Sequence, residues 1–393
     1  MSNVRRPIRQ GQRPGKPPMP ARLPPVVSGV AGAASLGVRS LLDGPRRPAR
    51  VIAAFPSAVY LELDGQGPEP RVLALVAPSA ARLPNAVVVS RVAGWTAAAR
   101  RSAPSPGTAQ SPGAAQSPGK LRSPGALPSP TAAQPPGAAQ PPGAAQFPGA
   151  AQFPGPAQFP GPAPPRPAPA PGASDRSQEF FTGIGQGDTG WVGSGAAQAG
   201  RLWVPVRRWW DPSPVLGPLS RARLDHGHAA LQAAREAAPR KPGLDGHGGP
   251  DALAVCCANG DLAGAVEIAE GLVGLGPGLT PSGDDVVSGL LIALRLLGGV
   301  IPGGTKAVWL ADWLGAAVTS FAGDRTTPLS ATLLHCAARG QAAAEVAAVL
   351  HGFAGQEPLL PAIRKLLVTG RTSGADLAWG LSAGCRAALT LPS

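Results

Sequence analysis

The segment spanning residues 274–285 combines the residue types expected of a site for a small anion or a hydrated metal. Alternating glycines at 274, 276 and 278 allow the main chain to bend sharply and to approach a ligand closely. Four oxygen-bearing side chains then precede the apolar run 286–297: Thr280, Ser282, Asp284 and Asp285. The apolar run predicts a helix, and a helix start offers unpaired N–H groups and a positive partial charge. We therefore expect anion binding or metal chemistry at this junction.

A second oxygen-rich helix start, residues 369–376, matches the first beyond its loop. Ser282 and Asp285 correspond to Ser373 and Asp376, and the spacing continues into both predicted helices with glycine at 289 and 380. Each glycine follows the motif's last aspartate by four residues, where one face of a helix can be approached closely. We infer either an internal duplication or two pockets of similar construction.

A purely structural interpretation of both motifs is available. Ser-x-x-Asp before an apolar run is typical of a capping box, which satisfies free N–H groups and contributes about 0.5–2 kcal/mol. However, a cap requires neither the alternating glycines nor the additional carboxylate of Asp284, and adjacent carboxylates repel unless a cation or donors stabilise them. These two features favour a functional role for the first motif, whereas the second motif is left open between a cap and a site.

A third hydroxyl-rich segment, residues 324–330, also opens a predicted helix. It contains Arg325, and the second motif contains Arg371. A guanidinium can bind a substrate carboxylate or phosphate through two parallel hydrogen bonds. Either arginine could equally be a solvated surface residue, which is the more frequent situation for arginine.

Several other classes of site are disfavoured by the sequence. The five histidines show no spacing typical of zinc, and neither a P-loop nor a nucleophile-elbow motif is present. The glycine-rich run follows a predicted helix rather than a strand, so the context of a dinucleotide fingerprint is missing. Cysteine occurs at 256, 257, 336 and 385 without a C-x-x-C pair. We therefore expect reduced thiols in a cytoplasmic protein.

The chain of 393 residues contains 53 glycines and 49 prolines, a content that indicates a low-complexity part beside the folded parts. We expect an α+β protein: a small N-terminal antiparallel β module followed by an Ala-rich helical domain, with a long disordered Pro/Gly-rich insert between them. The predicted parts are a disordered basic tail at 1–25, the β-rich module at 26–100, the insert at 101–197 and the helical domain at 198–393. In the insert a six-residue repeat excludes a collagen triple helix, which needs glycine at every third position.

Short apolar runs and helical periodicity predict the individual elements. Strands are expected at 51–55, 59–63, 71–76 and 86–90 as a meander joined by tight turns. Helices are expected at 218–237, 261–272, 284–297, 305–321, 329–338, 342–351, 362–367 and 375–389.

The charge and the apolar runs restrict the setting of the protein. No apolar run reaches the roughly 18 residues of a membrane span, and the N-terminal arginines are followed by no apolar segment of a secretory signal, so we expect a soluble protein. The formal net charge of +13 raises the alternative of polyanion or nucleic-acid binding through the basic tail. We rank this alternative third, because much of the charge lies in segments predicted to be disordered, and we regard nucleic acid as an improbable partner.

The three motifs resemble those of the oxamate carbamoyltransferase subunit AllH family, many of whose members are catalogued as a domain of unknown function. The residues that carry the resemblance are 274–285, then 326–330, then 370–376, and residues 40–96 fit the family more loosely. The chain departs from the family pattern in its long insert and at Arg371, where a histidine is usual. An arginine cannot give up a proton at neutral pH, so an acid–base role at Arg371 is in doubt.

The resemblance implies carbamoyl transfer between oxalurate or oxamate and phosphate in allantoin (purine) catabolism, performed together with partner subunits. We expect Ser282, Asp284 and Asp285 to be catalytic, with the two aspartates holding Mg²⁺ through water if a metal binds at all. The expected binding residues for carbamoyl phosphate, oxamate or oxalurate are Gly276, Gly278, Thr280, Gly283, Thr327, Ser330, Arg371, Thr372, Ser373, Gly374 and Asp376. The second alternative is a non-catalytic, anion-binding or structural subunit of a larger complex.

Overall fold

The N-terminal strands form part of a closed barrel in the computed structural model, which describes residues 30–64, 71–91 and 180–392. Its eight strands are β1 (Val30–Ser35), β2 (Arg47–Phe55), β3 (Ala58–Leu63), β4 (Val72–Val76), β5 (Ala86–Arg91), β6 (Thr189–Gly193), β7 (Ala196–Ala199) and β8 (Leu202–Trp210). They are hydrogen-bonded in the order β1-β5-β4-β3-β2-β6-β7-β8, and β8 pairs with β1 to close the barrel. A short helix, α1 (Arg39–Asp43), lies between β1 and β2.

The predicted fold class is therefore wrong in its β part. The structure contains a closed eight-stranded barrel instead of a small antiparallel module, and two strand pairs, β1 with β8 and β4 with β5, are parallel. The four predicted strands do form, as β2 to β5. The barrel is completed by β1, which no predicted strand covers, and by β6, β7 and β8, which lie in ranges predicted as insert or as helical domain. Only long-range pairing brings these strands beside β1 and β2, and the local pattern of residues does not show such pairing.

Nine helices follow the barrel within the described residues. They are α2 (Arg221–Glu236), α3 (Gly249–Asn259), α4 (Leu262–Leu272), α5 (Ser282–Gly298), α6 (Thr305–Arg325), α7 (Pro328–Ala338), α8 (Ala344–Ala354), α9 (Leu359–Leu367) and α10 (Ser373–Thr390). Eight of the nine coincide with predicted helices. The exception is α3, which begins at Gly249-Pro250 directly after a glycine-rich turn. Proline is well accommodated in a first helical turn, but the same residues in sequence resemble a loop.

Helices α5 and α10 form the centre of the helical part and pack along each other. α5 also packs against α6 and α7, whereas α10 packs against α2 and α3. Their apolar side chains join one large core that includes Leu290, Leu294 and Leu381, each 0% exposed. No helix in the described parts of the chain is long and apolar enough to cross a membrane.

The barrel and the helices belong to one compact unit and are joined by specific hydrogen bonds. The hydroxyl of Thr332 on α7 accepts the N–H of Val72 on β4, with an N···O distance of 3.2 Å. The N–H of Ala344 at the start of α8 donates to the carbonyl of Arg82 at 3.1 Å. All five residues of β4 are buried because one face points into the barrel and the other is covered by α7. The docked barrel thus forms one wall of a cavity whose other walls include residues of α5 and α10.

The predicted tail at 1–25 and most of the predicted insert lie outside the described residues. The division of the chain into the four predicted parts therefore stays a prediction. The four cysteines, all within the described residues, form no disulfide bond.

Candidate functional site

The glycine-rich loop between α4 and α5 adopts a conformation that only glycine accommodates easily. Gly274 and Gly276 have φ angles of +83° and +115°, in the region that side chains disfavour. A Cβ atom on Gly274 would lie 2.1 Å from the carbonyl oxygen of Arg325, so the loop passes directly against the end of α6. Within the described residues, the N–H groups of Gly276, Gly278 and Thr280 have no hydrogen-bond acceptor. We call these three N–H groups the rim: Gly276 and Gly278 are exposed on the loop, and Thr280 lines the cavity described below.

Asp284 ties this loop to the junction of α6 and α7. Its Oδ1 accepts the N–H of Gly274 at 2.8 Å, and its Oδ2 accepts the hydroxyls of Ser330, at 2.6 Å, and Thr326. Burial raises the pKa of the Asp284 carboxyl, and these three donors oppose the increase by stabilising the carboxylate. Asp284 therefore has an internal role in the structure, fastening three chain segments together.

Asp285, the next residue, points instead toward a cavity of about 260 Å³ between the helices and the barrel. Its side chain is only 6% exposed, and Oδ2 is buried without a hydrogen-bond partner in the described residues. Burial raises the pKa of this carboxyl well above its usual range, and repulsion by Asp376 and Asp284 adds to the increase. Hydrogen bonding by Ser373 and Thr280 acts in the opposite direction. Asp285 is thus a buried acid that faces open space.

The serines at the two helix starts are not caps, contrary to the structural interpretation of the motifs. Ser282 and Ser373 are the first residues of α5 and α10, and neither helix has a side-chain cap. Their hydroxyls extend across to the other motif: Ser282 lies 3.4 Å from the hydroxyl of Thr372, and Ser373 lies 3.2 Å from that of Thr280. The two motifs therefore interlock.

The interlock is reciprocal, as expected of two units related by an approximate two-fold axis. The hydroxyls of Ser373 and Thr280 act to lower the pKa of the Asp285 carboxyl, and those of Ser282 and Thr372 act in the same way on the Asp376 carboxyl. Burial raises the pKa of Asp376 as well, against these hydroxyls, the Gly243 N–H and the charge of Arg235.

The predicted glycines at the second position of each motif also correspond. A Cβ on Gly283 would lie 1.9 Å from the carbonyl oxygen of Leu272, and a Cβ on Gly374 would lie 1.9 Å from that of Leu366. Each glycine thus allows the start of its helix to pack against the end of the preceding helix. Their N–H groups donate to Leu275 and Thr369, so both glycines are used within the structure.

The predicted residues of the third motif, Thr327 and Ser330, lie beside the loop, and both make hydrogen bonds within the protein. Thr327 caps α7 by accepting the N–H of Ser330 at 3.1 Å, and it donates to the carbonyl of Leu279 at 2.6 Å. Arg371 is exposed and does not line the cavity. Arg325 is exposed as well and pairs with Glu270. The structure therefore places neither arginine next to Asp285.

Several residues of the cavity were missed by the sequence reasoning. Ser288 lies one helical turn after Asp285, so helical spacing could have identified it. Tyr60 and Leu83 come from the barrel part, and Glu345 comes from α8. Their sequence positions give no signal, because only the docking of the barrel onto α7 and α8 brings them to the cavity.

The predicted metal site at Asp284 and Asp285 stays a prediction. Among the described residues, no group of three or more histidine, cysteine, aspartate or glutamate side chains is placed to hold a metal ion. The two carboxyls point to different partners, Asp284 to the α6–α7 junction and Asp285 to the cavity.

The fold and the site define a β-barrel protein with a helical part in which two interlocked helix starts present a buried carboxyl to a cavity. The family model of the oxamate carbamoyltransferase subunit AllH matches residues 272–385. This range runs from the end of α4 into α10 and contains all three motifs, which confirms the resemblance predicted from them. No solved structure gives a significant match to the chain.

Proposed function

We propose that this protein is a subunit of an oxamate carbamoyltransferase-like enzyme and that Asp285 acts in its site. The match of residues 272–385 to the AllH family supports the subunit role. The observation that carries the site is the unpartnered, buried Oδ2 of Asp285 at the wall of a cavity. Perturbed titratable groups in cavities are typical of active sites.

The rim and the cavity suit the two ends of the proposed substrates. Oxamate and oxalurate carry a carboxylate at one end and an amide or carbamoyl group at the other. The unpaired N–H groups of Gly276, Gly278 and Thr280 are suited to the carboxylate or to phosphate. The carbamoyl end would lie toward Asp285, since its amide N–H groups can donate to an oxygen of the carboxyl.

The chemistry requires a proton at the leaving nitrogen. When an oxygen of phosphate attacks the carbamoyl carbon of oxalurate, the C–N bond breaks and oxamate leaves as an amide, which must gain a proton. Because burial raises its pKa, the Asp285 carboxyl holds a proton more readily than an exposed aspartate, and in its protonated form it can donate this proton to the leaving nitrogen. The proton of hydrogen phosphate then restores the acid, so that carbamoyl phosphate and oxamate are formed without a net gain or loss of protons.

The alternative, a non-catalytic subunit, is favoured by a specific observation. Asp284, Ser330 and Thr327 make hydrogen bonds within the protein, so most of the third motif fastens the fold. In this case the motifs would serve assembly, and turnover would belong to a partner subunit.

Thermal stability with ligands tests the proposal. Phosphate, carbamoyl phosphate, oxamate and oxalurate would each be added in excess, with succinate as an unrelated dicarboxylate control. A ligand at about a hundred times its dissociation constant stabilises the folded protein by about 2.7 kcal/mol, which raises Tm by several degrees. An increase selective for the four ligands is expected, and it should be lost in Asp285→Asn.

Turnover in the complex co-purified with its partner subunits separates the two alternatives. A catalytic Asp285 predicts that Asp285→Asn keeps the fold and the complex but lowers oxalurate-dependent formation of carbamoyl phosphate at least about a hundredfold. Unchanged turnover in an intact complex would assign the chemistry to a partner.

A further inference from the structure

Asp285 and Asp376 occupy equivalent places in the two interlocked motifs, but their surroundings differ in one respect. At Asp376 the equivalent space is filled by the segment around Gly243, whose N–H donates to Oδ1 at an N···O distance of 2.8 Å. This segment fits tightly, because a Cβ on Gly243 would lie 2.0 Å from the hydroxyl of Ser282. At Asp376 the protein thus supplies one of its own amide N–H groups, that of Gly243, which lies beside Ser282 and Thr372.

At Asp285 no such segment is present in the described parts of the chain. No backbone N–H of the described residues donates to either carboxyl oxygen of Asp285, whereas a buried Oδ2 without a partner is common to Asp285 and Asp376. The open cavity of about 260 Å³ lies there instead. The approximate symmetry therefore indicates what is missing at Asp285: an amide N–H donor between Ser373 and Thr280.

The walls of the cavity restrict the rest of the ligand. They are mostly apolar, with side chains such as Leu83, Ile292 and Leu377, and include no lysine or arginine among the described residues. A second carboxyl, that of Glu345, also lines the cavity; its Oε1 pairs with Lys365 outside the lining at 3.5 Å, and its Oε2 is buried without a partner. An anion inside the cavity would meet two carboxyls and no lysine or arginine of the lining, whereas an apolar group would be removed from water.

We propose that this cavity binds a neutral amide or urea with an apolar substituent, whose N–H donates to Asp285 as the N–H of Gly243 donates to Asp376. The inference rests on the proposed function for its biological meaning. In a carbamoyl transfer, the ligand is the carbamoyl-bearing substrate, and the apolar group belongs to the amide that leaves. The substrate class thus extends from oxalurate to carbamoyl amides with a larger apolar part.

Calorimetric titration of the full-length protein with simple ureas tests the proposal. Urea, ethylurea and butylurea are the probes, and burial of each added methylene is expected to tighten binding about fourfold. A butyl-substituted urea in which every N–H is replaced by N–methyl keeps the apolar part but lacks the donor, and it should not bind. Pentanoate, of similar length but anionic, should bind at least about tenfold more weakly than butylurea.

Two variants connect the binding to Asp285. Asp285→Asn is expected to weaken butylurea binding about tenfold or more, because one carboxyl oxygen is replaced by an NH₂ group, which only donates hydrogen bonds. Glu267→Gln removes an exposed carboxylate of α4 outside the cavity and should leave the affinity unchanged. Equal affinity for butylurea and its N-methylated form, or no gain along the series, would overturn the inference.

The outcomes distinguish this inference from the proposed function. If butylurea binds through Asp285 but the co-purified complex transfers no carbamoyl group to phosphate, the ligand class stands and the carbamoyltransferase assignment fails. If oxalurate is turned over while no urea of the series binds, the enzyme assignment stands and the inference on the cavity fails.

Discussion

Gly289 of α5 and Gly380 of α10 lie at the crossing of the two central helices, each against the main chain of the other helix. A Cβ on Gly380 would lie 1.9 Å from the carbonyl oxygen of Val286, and a Cβ on Gly289 would lie 2.3 Å from that of Leu377. Val286 and Leu377 themselves occupy equivalent positions in the two motifs. The contact is therefore reciprocal, and it holds the two motif-bearing helix starts at the short separation that the interlocked hydroxyls require.

This close crossing predicts that neither glycine tolerates a methyl group. Gly289→Ala and Gly380→Ala should each lower the free energy of unfolding by about 2–3 kcal/mol, because the helices must move apart. Denaturant unfolding measures the change. The matched control is Gly323→Ala on α6, where a Cβ would meet nothing within 4 Å. This control should raise stability by about 0.5–1 kcal/mol through helix propensity, and a similar gain at Gly380 would contradict the crossing.

The burial of Asp285 predicts a pH-dependent cost in stability. Because the carboxyl has a higher pKa in the folded than in the unfolded protein, the folded state binds more protons between the two values. The contribution to stability is therefore present below the usual value of 3.8 and is lost as the pH rises toward the folded pKa. Asp285→Asn, which does not titrate, should have a higher Tm than the wild type at pH 8.

The measurement is Tm of both proteins between pH 4 and pH 8. The advantage of Asp285→Asn should grow with pH and shrink toward pH 4. A difference that is constant over the range would show that the carboxyl gains no proton affinity on folding and would remove the basis for its role as an acid.

Substitution of Asp284 should lower the stability of the protein, whereas Asp285→Asn should raise it at pH 8, because both carboxyl oxygens of Asp284 have hydrogen-bond partners. Asp284→Ala leaves the N–H of Gly274 and the hydroxyls of Thr326 and Ser330 without their acceptor, so we expect a loss of about 2–3 kcal/mol. Ser330→Ala removes only one of these donors and should cost about 1 kcal/mol. Urea unfolding of both variants gives the comparison, and a smaller loss in Asp284→Ala than in Ser330→Ala would refute the fastening role.

The segment that fills the space at Asp376 provides a fourth prediction. Gly243→Ala should displace this segment, since the new Cβ would lie 2.0 Å from the Ser282 hydroxyl, and the N–H bond to Asp376 would be lost. We expect a loss of about 1–3 kcal/mol together with faster amide hydrogen exchange around residue 243. Gly217→Ala, in a loop where a Cβ meets nothing within 4 Å, should change stability by less than about 0.5 kcal/mol.

The sequence identified the two matching helix starts because their signals are local. Alternating glycines, clustered hydroxyls and a following apolar run identify the helix starts at Ser282 and Ser373 from the short-range preferences of the chain. The repeated spacing of Gly289 and Gly380 also indicated the close approach of two helix faces. What the sequence did not indicate is that the two faces meet each other.

The amino-acid sequence alone indicated the helices other than α1 and α3, the loop that bends on glycine and the carboxyls that stand at helix starts, since these follow from interactions between residues near one another in the chain. Only the tertiary structure decided that strands at 189–210 close a barrel with those at 30–91. It also separated the roles of two adjacent aspartates. Asp284 and Asp285 are chemically identical, but a helix points successive side chains about 100° apart, so one meets three donors and the other meets a cavity.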